Sequence, residues 1–152
     1  MMSGLESLYQ EIILDHSKRR LGEGLVEASH PHADNHQYNP TCGDEINLRV
    51  ELDDAREKIE KISWEGDGCS ISMAAASVLS ETAPGMDLKE FQELVDQFRE
   101  MLHSRGKIEP NEEVFGDAAA FAGVSKFVAR VKCAMLSWVA AEQAAKEATV
   151  SE

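Results

Sequence analysis

The sequence predicts an α+β fold, a small antiparallel β-sheet packed on one face by several helices, in a single domain spanning residues 1–152. Three observations predict it. Ile46, Leu48, Val50 and Leu52 alternate with Asn47, Arg49 and Glu51, the period of a strand buried on one face. Leu88, Phe91, Leu94, Val95, Phe98, Met101 and Leu102 trace one apolar stripe at helical spacing. No internal repeat or long linker divides the 152 residues, and a chain of this size folds without disulfide staples.

Leu5, Leu8, Tyr9, Ile12 and Ile13 place a first one-sided helix that runs to about Ser17, with Ser3 as its cap and Glu6 three residues on. Residues 19–40 hold two glycines, two prolines and three histidines without a sustained period, and read as a long surface segment of the functional or mobile kind. After the alternating strand, the turn at residues 53–57 leads to Ile62 and Trp64, so a hairpin is expected. Cys69 follows two glycines and opens an Ala-, Ser- and Met-rich helix that Ala83, Pro84 and Gly85 stop. Asp87 and Glu90 start the next helix in the manner of a capping box. Residues 103–117 read as a charged excursion, residues 118–122 as a short helical piece, and a last helix starts at about Ser125 or Val131 and ends near Glu147.

Fifteen basic against 28 acidic residues leave a formal charge of −13 and a pI of about 4.8, which opposes attachment to nucleic acid or to an anionic membrane. The acidity reads as a well-solvated surface. The N-terminal residues lack the basic and apolar regions of a signal peptide, and no apolar run approaches the ~18 residues of a spanning helix, so a cytoplasmic protein is expected. Three widely separated cysteines make a poor disulfide framework, which leaves metal binding, thiol chemistry or burial.

Cys42, Cys69 and Cys133 lie 27 and 64 residues apart, too far for a compact zinc knuckle, so any shared site is assembled by the fold. In an extended segment Cys42 and Asp44 project to one side, with Gly43 between them removing a crowding side chain. Cys69 sits at a helix start, where the dipole favours a thiolate, and Cys133 is flanked by the cations Arg130 and Lys132. Thiolates with a carboxylate suit zinc, and iron-sulfur ligation is the chemical rival; a hard-oxygen ion such as calcium would not choose three sulfurs. His30, His32 and His36 read as exposed loop residues, and His16 and His103 as helix-surface or helix-end residues.

The segments NPTCGDEINL, WEGDGCSISMAAASVLSE and GVSKFVARVKCAMLSW, with the opening LYQEIILDHSKR helix, resemble in order the cysteine-bearing segments of the SufU/IscU family. The chain is similar to the SufU branch in particular. Lys132 stands where the IscU type carries a histidine ligand, the interval from Cys69 to Cys133 holds the extra segment at residues 103–117, and the LPPVK chaperone motif is absent. The resemblance implies a zinc-dependent sulfurtransferase that accepts persulfide sulfur from a SufS-type cysteine desulfurase and relays it to downstream SUF proteins for iron-sulfur cluster assembly. It implies Cys42, Asp44, Cys69 and Cys133 as Zn²⁺ ligands, Cys42 as the sulfur acceptor, and Arg130 as a basic neighbour. On this reading Asp44 anchors and Cys42 is the ligand that leaves. The alternative is an IscU-like scaffold on which a [2Fe-2S] cluster is built and transferred.

Overall fold

The computed structural model describes residues 4–41 and 43–150. Helix α1 (Gly4–Arg19) is followed by strands β1 (His32–Asn39), β2 (Asp44–Leu52) and β3 (Ile59–Asp67). Helices α2 (Ser70–Thr82), α3 (Leu88–Leu102), α4 (Glu112–Phe115), a 3-10 helix (Gly116–Lys126) and the long α5 (Val128–Val150) complete the chain. The proposed cap Ser3 lies outside the described residues.

The sheet is antiparallel with order β1-β2-β3, and Leu48 of the central strand pairs with Asn35 on one side and Trp64 on the other. Ile46, Leu48, Val50, Ile62 and Trp64 are fully buried. The opposite face carries polar groups, among them Arg49, whose guanidinium makes a two-pronged contact with Asp34 at 2.7 and 2.9 Å. That is the one-sided burial the alternation predicts. Helix α5 lies against β1 and β2, with α2 packed on both α5 and α1.

Two expectations for the first forty residues are corrected. The segment at residues 19–40 is not a free loop: it contains strand β1, whose sequence HADNHQYN has no apolar alternation because it is the sheet's edge and only Asn39 is buried. Its earlier part is pinned to β3. Gly24 N–H donates to Trp64 O at 2.7 Å, Trp64 N–H donates to Gly22 O at 3.0 Å, and the Trp64 indole donates to Leu21 O at 2.8 Å. The second correction concerns His16, which stands in the last turn of α1 as a helix-end residue but is not on the surface, being 1% exposed. Its position three and four residues after Ile13 and Ile12 continues their partly buried stripe to its most buried point, while Leu8 of the expected stripe is half exposed.

The helices follow their capping chemistry. The Asp87 side chain accepts from Glu90 N–H at 2.7 Å, and Asn111 caps α4 from Glu113 N–H at 3.0 Å. Where residues 118–122 suggested a short helix, the chain makes an eleven-residue 3-10 helix that buries Ala118, Ala119, Ala120 and Phe121. Phe121 meets Phe98 edge-on, and Phe98 stacks on Trp138 with centroids 3.8 Å apart. These rings tie α3, the 3-10 helix and α5 into one core behind the sheet.

Candidate metal centre

β2 begins at Asp44, directly after the turn that joins it to β1. Gly43 N–H donates to Asn39 O at 2.8 Å, and Gly43 adopts φ +74°, a left-handed conformation that favours glycine. Gly43 therefore lies in a turn that ends where β2 begins at Asp44. Gly43 serves the backbone angle rather than space, since a Cβ there would meet nothing within 4 Å. Cys42 lies outside the described residues.

The other three expected ligands come together. One ligand atom from each of Asp44, Cys69 and Cys133 lies within 4.8 Å of the others, although they come from a strand start, a helix N-cap and the second turn of α5. Asp44 is 1% exposed and Cys133 4%, whereas Cys69 is exposed. The cluster thus has a buried floor and an accessible thiol at its rim.

Cys69 is the N-cap residue of α2 but makes no side-chain cap bond itself. Asp44 takes that place from across the fold: its Oδ1 accepts the Cys69 backbone N–H at 2.9 Å. The Ser72 hydroxyl donates to Asp44 Oδ2, and the Cys69 sulfur stands 3.5 Å from both that oxygen and Ser72 Oγ. A carboxylate at a helix N-terminus is favoured by the free amides and the dipole there. Burial of Asp44 is compensated in this way.

Two of these neighbours escape a search for ligand residues. Gly68 approaches so closely that a Cβ would stand 2.5 Å from Asp44 Oδ1, and Ser72 bonds the same carboxylate. A glycine and a hydroxyl one helical turn into the sequence GDGCSIS are the only written signal, and neither ligates metal by itself. Arg130 lies over the Phe127 ring at 5.5 Å from its centroid, an arrangement that engages it with its own helix start.

The histidines do not join this cluster. His36 Nε2 contacts Glu45 at 2.8 Å and His30 Nδ1 contacts Asp54 at 2.6 Å, which pushes the His30 pKa up through the hydrogen bond to that carboxylate. His32 and His36 stand on β1, and His103 caps the end of α3 as a helix-end residue. His16 bridges Ser77 Oγ and Asp117 Oδ2 at 2.8 Å each, in a second group with Glu81 on the helical side of the molecule.

The donor set fits a zinc-like ion. Two sulfurs with one carboxylate match borderline-soft metals and leave further coordination positions to be filled, and no rearrangement of the described backbone is needed to bring them within reach of one ion. No helix among the described residues is long and apolar enough to cross a membrane.

Comparison with known proteins gives the same fold. The NifU-like N terminal domain model matches residues 8–134. The zinc-dependent sulfurtransferase SufU of Bacillus subtilis (strain 168) is 40% identical over 141 residues, covering 93% of this chain and 91% of that one. The iron-sulfur cluster assembly scaffold protein IscU of Streptococcus pyogenes serotype M1 is 39% identical over 145 residues, covering 95% and 87%. Among solved structures, a candidate SUF-system scaffold protein from Fervidobacterium islandicum AW-1 superposes with a TM-score of 0.79 at 32% identity, over 92% of this chain and 98% of that one. With a family match across most of its length and full-length relatives at this identity, the chain belongs to the NifU-like N-terminal domain family, among its SufU/IscU proteins.

Proposed function

We propose that the protein is a zinc-dependent sulfurtransferase of iron-sulfur cluster assembly, which accepts persulfide sulfur from a SufS-type cysteine desulfurase on Cys42. The observation that carries this reading is the convergence of Asp44, Cys69 and Cys133, with Cys42 two residues before Asp44 in the chain. Cys42, Asp44, Cys69 and Cys133 would hold the ion. Bound zinc would keep these thiols deprotonated, shield them from oxidation and cross-link three elements of the fold.

Sulfur transfer needs a thiolate that meets a partner's persulfide. The Cys42 thiolate attacks the terminal sulfur of the enzyme persulfide, a new S–S bond forms on Cys42, and the old S–S bond breaks with its electron pair leaving on the desulfurase cysteine. No net oxidation occurs, and the persulfide proton stays with the transferred sulfur or passes to solvent. Exposed apolar side chains close in sequence to the cysteines support docking of a protein partner. Tyr38, four residues before Cys42 in the chain, Phe127, just before α5, and Val128, the first residue of the helix that bears Cys133, are large apolar side chains more than half exposed.

The test is desulfurase turnover with the zinc-loaded protein and its Cys42→Ala variant, with intact-mass detection of the added sulfur. Stimulation and the persulfide mass on the wild type, both lost in the variant, are expected. Persulfide label persisting on Cys42→Ala would overturn the assignment.

A second reading is supported by the relatives named as scaffolds: a [2Fe-2S] cluster forms on the same residues and is passed to an apo-protein. It predicts visible charge-transfer absorption after anaerobic reconstitution and competent cluster transfer, in place of tightly retained zinc.

A further inference from the structure

We infer that Ser72 is a positioning residue of the metal centre, acting through Asp44: its hydroxyl determines how the carboxylate is presented to the ion. The inference rests on the metal-site reading above and extends it to a residue that ligates nothing.

Ser72 is 2% exposed and lies in the first turn of α2, three residues after Cys69. A serine at that place ordinarily turns its hydroxyl back to its own backbone or out to solvent. Here it reaches across to β2 and donates to Asp44 Oδ2, while the Cys69 amide holds Oδ1 at 2.9 Å. The two donors come from one helical turn and grip the two oxygens of one carboxylate. A carboxylate oxygen can accept more than one partner, so these bonds do not bar a metal, and they set the plane of the carboxylate before the ion arrives.

Two consequences follow from that grip. Preset orientation removes the entropy of ordering Asp44 on binding, which raises affinity. Donation to Oδ2 also draws some electron density from the oxygen that stands 3.5 Å from the Cys69 sulfur, a smaller and opposing effect that leaves the carboxylate exchangeable while the orienting effect dominates affinity. Asp44 is accordingly the fixed yet exchangeable member of the set. The same hydroxyl stands 3.5 Å from the Cys69 sulfur, which keeps the serine at the junction of two ligands.

The test is a double-mutant cycle read by metal affinity and by spectrum. Zinc affinity is measured by competition with a chromophoric chelator for wild type, Ser72→Ala, Asp44→Ala and the double variant, and each is loaded with Co²⁺ for visible absorption. Ser72→Ala is expected to lower affinity about 10- to 100-fold, the usual effect of losing an outer partner of a ligand. It should shift the Co²⁺ d–d bands while leaving the sulfur charge-transfer band. In the Asp44→Ala background the same substitution should change affinity less than twofold and leave the spectrum unmoved. Equal losses in both backgrounds would overturn the inference by making Ser72 a general structural residue, as would affinity and spectrum unchanged in Ser72→Ala. A wild-type protein that shows no sulfur-to-cobalt charge transfer overturns the metal-site reading and this inference with it, whereas a normal wild-type spectrum with an inert Ser72 overturns the inference alone.

Discussion

Gly68 stands against Asp44 with no room for a side chain: a Cβ on residue 68 would lie 2.5 Å from Asp44 Oδ1, 2.8 Å from its Cγ and 3.1 Å from its Cβ. The glycine thus fixes how far β2 and the start of α2 can close on each other. Gly68→Ala forces the carboxylate away from the Cys69 amide that it now accepts at 2.9 Å. The expected outcome is a folded protein with zinc affinity lowered about 10- to 100-fold, in the range for disturbed support of a ligand. Elemental analysis of the purified variant and chelator competition check it; wild-type affinity would mean that Asp44 is not held in place by this contact.

The family was legible in the sequence because its three cysteine-bearing segments stand in order along the chain, and three of the residues singled out there, Asp44, Cys69 and Cys133, are brought together by the fold. The α3 stripe and the β2 alternation were equally legible, since Phe91, Leu94, Phe98 and Leu48 are buried as their periods require. Strand β1 was not. Its pairing with β2 is written in backbone hydrogen bonds, which any side chains satisfy, so His32–Asn39 carries no alternation to read. The roles of Ser72 and Gly68 were hidden for a different reason: they act on a residue 24 or more positions away, and only the closed fold brings them to Asp44.

His16 ties three elements together at the other side of α2. Its ring lies between Ser77 Oγ and Asp117 Oδ2, 2.8 Å from each, and Ser77 Oγ also accepts Leu21 N–H at 3.0 Å. Both His16 and Ser77 are buried to within 1% of full. His16→Phe keeps the ring volume but strips the partner from a buried hydroxyl, and the expected loss of stability is about 1–3 kcal/mol. Asp117→Ala should cost less because that carboxylate is 42% exposed and its truncation opens the space it leaves to water, which can reach the His16 nitrogen. Urea denaturation of the two variants measures the order; an Asp117 variant less stable than His16→Phe would refute it.

The aromatic stack behind the sheet should dominate core stability. Trp138 is fully buried, lies at 15° to the Phe98 ring, and donates its indole N–H to Ala75 O at 3.3 Å. Trp138→Ala removes the stack and leaves a cavity, at an expected cost of about 3–5 kcal/mol. Trp138→Phe keeps most of the ring contact and loses the hydrogen bond, so a smaller loss of about 1 kcal/mol for the bond, with some cavity cost, is expected. The midpoints of denaturant unfolding separate the two, and equal losses would show that the bond and not the packing matters.

Acid should weaken the contact between α3 and α5 through Glu142. Burial pushes the Glu142 pKa up, but hydrogen bonds from Arg99 and Gln92, with the charges of Arg99 and Lys146, outweigh it and hold the carboxyl below the usual glutamate range. Arg99 donates to Glu142 Oε1 and Gln92 to Oε2, each at 2.7 Å. A carboxyl whose folded pKa is depressed binds fewer protons folded than unfolded, so it contributes stability above its unfolded value of about 4.3 and loses it as pH falls through the lower folded value. Wild type should therefore exceed Glu142→Gln in stability at neutral pH, and the gap should close on acidification below about pH 4. Asp53 and Asp87 are also held low, by backbone N–H donors, but they are common to both proteins and cancel in the difference. Melting temperatures of the pair across this range give the curve; a gap that stays constant with pH would show that Glu142 acts by packing alone.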